Sequence, residues 1–86
     1  MSQPSLIGAA VFTKESFGQR LRALRKSRGE KQEELGAVIG VSKTQISEME
    51  AGKKTTTIEK LALLCAHYQV SADYLLGFRE EAEENE

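Results

Sequence analysis

Eighty-six residues with 40% hydrophobic and 29% charged content make one domain of ordinary globular composition. A single cysteine, Cys65, excludes an internal disulfide, and no apolar run approaches the ~20 residues that a membrane span requires. The net charge of −1 hides an uneven distribution: five acidic residues fall within 80–86, so residues 1–79 carry twelve basic and eight acidic groups, a net of +4.

In chain order, residues 1–12 read as an N-terminal extension. Its stretch 6–12 is apolar apart from Gly8, but no Lys or Arg precedes it, so it lacks the charged start of a secretory signal. With the lone thiol, this predicts a cytoplasmic protein. A first helix should begin near Thr13, a suitable N-cap, and stop before Gly29. Phe17, Leu21 and Leu24 give it an apolar stripe at helical spacing. Arg20, Arg22, Arg25, Lys26, Arg28 and Lys31 cluster in and just after it, as a solvated face or a phosphate-binding one.

A second helix is predicted over 32–39, with Leu35, Val38 and Ile39 inward and Gly40 as its stop. Ser42 then caps a third helix, and Gln45 three residues on completes a capping box. Ile46 and Met49 are its inward residues, and Gly52 ends it. Thr56 with Glu59 forms another such box, opening a fourth helix with Ile58, Leu61, Ala62 and Cys65 on one side. Ser71 caps a short fifth helix that stops at Gly77, with Val70 and Leu75 spaced for a hydrophobic staple. No alternating pattern suggests a sheet. The expected fold class is therefore all-α, a five-helix domain over 13–78, followed by an acidic, disordered tail at 79–86.

The spacing within 32–52 carries the most information. Two helices of about eight residues joined by a tight turn must cross steeply. Gly36 leaves room for close approach, Gly40 permits a left-handed turn, and Val41 fills the space beneath it. Ile46 and Met49 then anchor the second of the pair and leave Lys43, Thr44, Ser47 and Glu48 facing outward.

Over about 17–77 the chain resembles the lambda-repressor and Cro-like helix-turn-helix regulators, also called the xenobiotic-response-element family. The segments FGQRLRALRKSRG, QEELGAVIGVSKTQISEMEAGKK and VSADYLLG carry the likeness in order and spacing. It implies a compact five-helix lambda-repressor-like domain whose recognition helix, at about 42–50, enters the DNA major groove. It further implies a sequence-specific regulator, a repressor, that binds operator DNA as a homodimer. Pairing is expected through about 70–78, because Tyr74, Leu75, Leu76 and Phe78 are more apolar residues than so short a helix can bury within its own chain. By the same resemblance Lys43, Thr44, Ser47 and Glu48 read bases, and Gln32, Ser42, Lys53 and Lys54 contact phosphates. Arg25 and Glu50 match a buried ion pair between the first and third helices. Three positions depart from the family pattern. Lys31 stands where Ser or Thr usually caps the second helix, a loss of ~1 kcal/mol. Gly36 replaces a common alanine at ~0.5–1 kcal/mol. Thr56 stands in place of a proline.

Other chemistry finds little support. Cys65 sits on an apolar helical face and reads as a small buried hydrophobe. His67 has no partner at metal-ligand spacing, and Glu33–Glu34 suit the first turn of any helix. There is no Gly-rich phosphate loop and no nucleophile–base pair, so neither an enzyme nor a cofactor or metal site is expected. The competing function is a protein-interaction module, an antitoxin or adaptor on the same fold, with an unknown protein partner. The Arg22–Lys31 and Lys53–Lys54 basic groups favour DNA.

Overall fold

The computed structural model describes residues 12–79. The stretch 6–11, most of the N-terminal extension and the acidic residues 80–86 lie outside the described residues. Among the described residues the regular elements are five α-helices: α1 Lys14–Ser27, α2 Gln32–Ile39, α3 Lys43–Glu50, α4 Ile58–Tyr68 and α5 Ala72–Leu76. This is the all-α, five-helix architecture expected, and no helix is long and apolar enough to cross a membrane among the described residues.

Local chemistry sets most of the boundaries. The Thr13 hydroxyl accepts from the Ser16 amide at 2.9 Å, capping α1. At α3 the box closes in both directions: the Gln45 amide donates to Ser42 Oγ at 3.1 Å, and the Ser42 amide donates to Gln45 Oε1 at 2.9 Å. Lys31 offers α2 no acceptor, but its own amide donates to Glu34 Oε1 at 2.7 Å. Half a capping box therefore offsets part of the missing cap.

Two caps differ from the sequence expectation. The cap of α4 is Thr57, whose hydroxyl accepts from the Lys60 amide at 3.2 Å, not Thr56 paired with Glu59. With three threonines in succession, the residue whose backbone turns extended just before the helix takes the role. Ser71 occupies the N-cap position of α5, but its hydroxyl caps nothing and is buried without a partner.

The core is one cluster drawn from every helix: Phe17, Leu21 and Leu24, then Leu35 and Ile39, Ile46 and Met49, Leu64 and Tyr68, and finally Val70, Tyr74 and Leu75. Val41, Leu61 and Cys65 pack against its edge. Burial raises the pKa of the Cys65 thiol, which disfavours the reactive thiolate. Three inward assignments need correction. Val38 is 41% exposed, because α2 is covered by α3 and α4 only along its Leu35–Ile39 edge. The inward stripe of α4 runs Leu61, Leu64, Cys65, Tyr68, a face rotated from the expected one. Ala62 is accordingly exposed, and Ile58, in the first turn and beyond the reach of the core, is 83% exposed.

Helix α3 packs chiefly against α2 and α1, α4 against α2, and α5 against α1. Close approach depends on two glycines. A Cβ at Gly18 would lie 2.3 Å from the Met49 carbonyl oxygen, and one at Gly36 would lie 2.5 Å from that of Val41. Glycine at 36 is thus required by the spacing of α2 and the following turn, rather than being a plain propensity loss.

Candidate nucleic-acid interface

The α2–α3 pair turns at Gly40, which has φ 77°, and the Gly40 and Val41 amides both donate to the Gly36 carbonyl at 2.8 and 2.9 Å. Val41 tucks partly under the turn. Because Ile46 and Met49 are buried, α3 turns its opposite side outward. Lys43, Thr44 and Ser47 are exposed there and Glu48 is partly exposed. Ser42 and the Lys53–Lys54 pair are exposed at the two ends of the helix. All eight residues named as base- or phosphate-contacting lie in or beside the α2–α3 pair, and Gln32, the first residue of α2, is half-buried.

An open groove of about 490 Å³ runs between the end of α1, the start of α2 and α3. Arg22, Lys26, Lys31, Gln32, Lys43 and Ser47 line it, with Glu33 the one exposed carboxylate on its wall. Its surface is polar and mostly basic. A charged contact crosses the outward side of α3: Lys54 Nζ lies 3.6 Å from Glu48 Oε1, so the one carboxylate there is partly neutralised by a neighbouring lysine.

Beneath the groove, Arg25 and Glu50 form a bidentate pair, Nε to Oε2 at 2.6 Å and Nη2 to Oε1 at 2.9 Å. Their side chains are 10% and 4% exposed. Arg25 spends its remaining nitrogen on the Glu30 carbonyl at 2.7 Å, and Gln32 Nε2 donates to Glu50 Oε1 at 3.1 Å. The hydrogen bonds to Glu50 raise the guanidinium pKa further, against the opposing effect of burial. All three guanidinium nitrogens of Arg25 and both carboxylate oxygens of Glu50 have partners, which is the condition under which a buried pair fixes geometry without stranding a charge.

A polar cluster without any signal in the local sequence lies on the far side of the turn between α1 and α2. Glu30 accepts from the Tyr68 hydroxyl through Oε1 and contacts His67 Nε2 through Oε2 at 2.6 Å. Arg28 donates to the Tyr68 carbonyl at 2.9 Å and lies over its ring. The partners are 37 and 38 residues apart in sequence, so no local spacing could have announced them. The available signal was Tyr68 itself, an aromatic on the buried stripe of α4 whose hydroxyl needs a partner. Among the described residues no group of three or more His, Cys, Asp or Glu could hold a metal ion.

Two short helices around a left-handed glycine, one buried side each and a basic groove before them, define a helix-turn-helix domain. The sequence model of the helix-turn-helix family matches residues 21–75, and the chain belongs to that family, in its lambda-repressor and Cro-like branch. It is 38% identical over 65 residues to YobD of Bacillus subtilis, described as an uncharacterized helix-turn-helix transcriptional regulator, covering 76% of this chain and 58% of that protein. It is 40% identical to the transcriptional repressor RghR of the same organism, covering 81% of this chain and 55% of RghR. The fold superposes with a TM-score of 0.66 on the c2 repressor of Salmonella phage P22, solved in complex with a synthetic operator; the two are 40% identical, over 70% of this chain and 91% of that one. The chain spans little more than half the length of the two Bacillus relatives. These relatives are described as transcriptional regulators or repressors.

Proposed function

We propose that the chain is a DNA-binding transcriptional regulator of the cytoplasm, a repressor, that holds operator DNA as a homodimer with one α3 per half-site. The observation that carries this reading is the outward side of α3, set in a mostly basic groove on a helix whose other side is locked into the core. Lys43 and Thr44 lie in the first turn of α3, the part that reaches deepest into a major groove in this motif. Lys43 suits the O6 and N7 acceptors of guanine, Thr44 a thymine methyl, and Glu48 one turn later the N4 donor of cytosine, with Ser47 between them. Ser42, Gln32, Lys53 and Lys54 would then hold phosphates on either side, fixing register without reading sequence.

Pairing through 70–78 needs a different support from the one the sequence offered. Tyr74 and Leu75 are 8% and 0% exposed, both consumed by the chain's own core, so α5 is less apolar outside than its composition implied. What remains uncovered is Phe78, 63% exposed, and a groove in which Leu76 of α5 meets Phe12, Leu61 and Ile58. The pairing surface proposed is this groove together with Phe78. Within the domain limits proposed, 13–78 binds DNA and partner, flanked by the extension 1–12 and the acidic tail 79–86.

Selection of bound sequences from random duplex DNA tests the reading. Lys43→Ala, Thr44→Ala and Glu48→Ala should each change the recovered consensus at one position, at ~1–3 kcal/mol per lost contact. Gln32→Ala and Lys53→Ala should lower affinity for all sequences alike, and Lys53→Ala should also reduce the salt slope by about one. Recovery of the wild-type consensus by both Lys43→Ala and Glu48→Ala would defeat the assignment of reading residues.

A further inference from the structure

The turn between α1 and α2 presents Lys31 and Gln32 to the basic groove, and it is gripped from both sides by the residue just before them. Glu30 is 12% exposed at its side chain. Its amide donates to the Arg25 carbonyl at 3.1 Å, and its carbonyl accepts from Arg25 Nη1 at 2.7 Å. Its carboxylate reaches the opposite way, to Tyr68 and His67 at the end of α4. Since an ionised carboxylate only accepts, both the phenol and the His67 Nε2 must donate to it. Tyr68 is itself held: it is fully buried, Arg28 donates to its carbonyl, and the His67 ring packs edge-on against it. Burial, and then the bond to Glu30, raise the Tyr68 pKa, so the hydroxyl keeps its proton and stays a donor.

One chain of contacts therefore runs from Tyr68 and His67 through Glu30 and Arg25 to Glu50, and returns to Gln32, which donates to Glu50 at 3.1 Å. Helix α4 contributes no side chain to the proposed DNA contacts. A buried carboxylate is a poor way to hold a turn if stability is the sole requirement, because apolar residues of the same volume avoid its desolvation. Directional hydrogen bonds on three sides instead fix where the turn sits.

We propose that Glu30, braced by Tyr68 and His67, is a positioning residue for DNA recognition: it sets the α1–α2 turn, and through it Gln32, at the place the phosphate backbone requires. This rests on the DNA-binding reading above and deepens it. The Tyr68–Glu30–His67 strut acts from behind the interface and touches no nucleotide.

The test uses the full chain and the sequence selected by the wild type. Tyr68→Phe removes one oxygen and leaves the ring in the core. At a temperature where circular dichroism shows the variant fully folded, its affinity should fall about tenfold, the scale of one hydrogen bond to a charged group. The slope of affinity against salt should stay that of the wild type, since no phosphate-contacting cation is lost. In a double-mutant cycle with Gln32→Ala, the Tyr68→Phe effect should largely vanish, because a misplaced Gln32 and an absent one are equivalent. Amide exchange at Lys31 and Gln32 should quicken while that of the α3 core stays slow. A folded Tyr68→Phe that melts earlier yet binds with wild-type affinity overturns the proposal, as does strict additivity with Gln32→Ala. Should Tyr68→Phe fail to fold, His67→Gln, altered at the exposed edge of the strut, must give the same non-additivity at about threefold, or the proposal falls. A wild-type chain that retains no DNA at low salt defeats the DNA-binding reading and the positioning role together, an outcome plainly different from a binding wild type with an unaffected variant.

Discussion

The α1–α2–α3 corner and the α4–α5 end of this molecule solve the same problem in opposite ways. At the corner the chain buries charge and satisfies all of it: Arg25, Glu50, Gln32 and the Glu30 backbone form a closed set of hydrogen bonds beneath a polar, mostly basic surface. At the other end the chain leaves apolar side chains in water, with Ile58 at 83% and Phe78 at 63% exposure. Directional contacts hold a surface in one shape, which suits a rigid ligand such as a duplex. Uncovered apolar area is non-directional and is satisfied by a second apolar surface. The first face thus has its directional contacts closed within the single chain, while the second keeps apolar area uncovered. Substitutions at the corner should therefore register in the stability of the monomer, and substitutions at the far end in association.

The largest effect should come from opening the corner. Arg25→Ala takes the charge partner from Glu50, 4% exposed, leaving it only the neutral Gln32, and releases the Glu30 carbonyl at once. The expected loss is ~3–5 kcal/mol, because the remaining charge is buried without its partner. For a domain of this size that lowers the Tm by more than about 12 °C in a calorimetric scan. An Arg25→Ala variant that melts with the wild type would erase the contrast between the two regions.

Next in size is Gly18→Ala. An added Cβ would stand 2.3 Å from the Met49 carbonyl oxygen and 2.7 Å from that of Glu50, both backbone atoms that cannot swing away. Overpacking of this kind costs ~1–3 kcal/mol, and here it outweighs the ~1 kcal/mol that alanine gains over glycine inside a helix. Denaturant titration should show a lower midpoint at unchanged m-value. A stabilised Gly18→Ala would mean that α1 and α3 do not approach this closely.

These positions also show what could be read without coordinates. The caps of α1 and α3, the left-handed Gly40 and the inward Ile46 and Met49 depend on residues within three or four positions of one another, and local spacing was enough to place them. The five-helix, all-α fold followed from those segments and from the family resemblance. The outward placement of Lys43, Thr44 and Ser47 followed from which residues of α3 are apolar. Burial at Val38, Ile58 and Ala62 depends on where other helices land, and periodicity alone misassigned these three. Ile58 fits the apolar stripe of α4 by spacing but sits one turn beyond the core, whereas Tyr74 and Leu75 fall wholly within it. The Glu30–Tyr68–His67 cluster was invisible for a related reason: each member has an ordinary local context, and only the fold brings them together.

A smaller effect sharpens the corner's own account. The Tyr68 hydroxyl is fully buried and donates to Glu30, and its pKa is raised above the ordinary 10.0. A raised folded-state value means that the unfolded chain loses this proton first as pH rises. The hydroxyl's contribution is then intact below pH ~10 and is lost above it, at about 1.4 kcal/mol per pH unit. The measurement is the difference between wild type and Tyr68→Phe in urea unfolding at pH 9, 10 and 11, which cancels every ionisation the two proteins share. The gap in stability should narrow as pH increases. A constant gap would show that the phenol is not held by Glu30.

The smallest effect on the monomer, and the one that reaches the other region, belongs to Ile58→Ser. At 83% exposure the side chain gives the single chain almost nothing to lose, and a surface substitution of this kind changes stability by no more than about 0.5 kcal/mol. Serine carries far less apolar area than isoleucine, and full burial of an isoleucine against a partner contributes ~1.5–3 kcal/mol. If the Leu76, Phe12 and Ile58 groove is where two chains meet, the variant should therefore dissociate at tenfold or more higher concentration while melting, in dilute solution, within about 3 °C of the wild type. In a symmetric pair the substitution occurs twice, once from each chain, which amplifies the change in association relative to that in folding. Ala37→Ser, at an exposed position on α2, serves as the control that should change neither quantity. Sedimentation over a range of micromolar concentrations separates the outcomes. A dimer unaffected by Ile58→Ser, with the control equally silent, would place the contact elsewhere on the surface and leave this groove without a role in pairing.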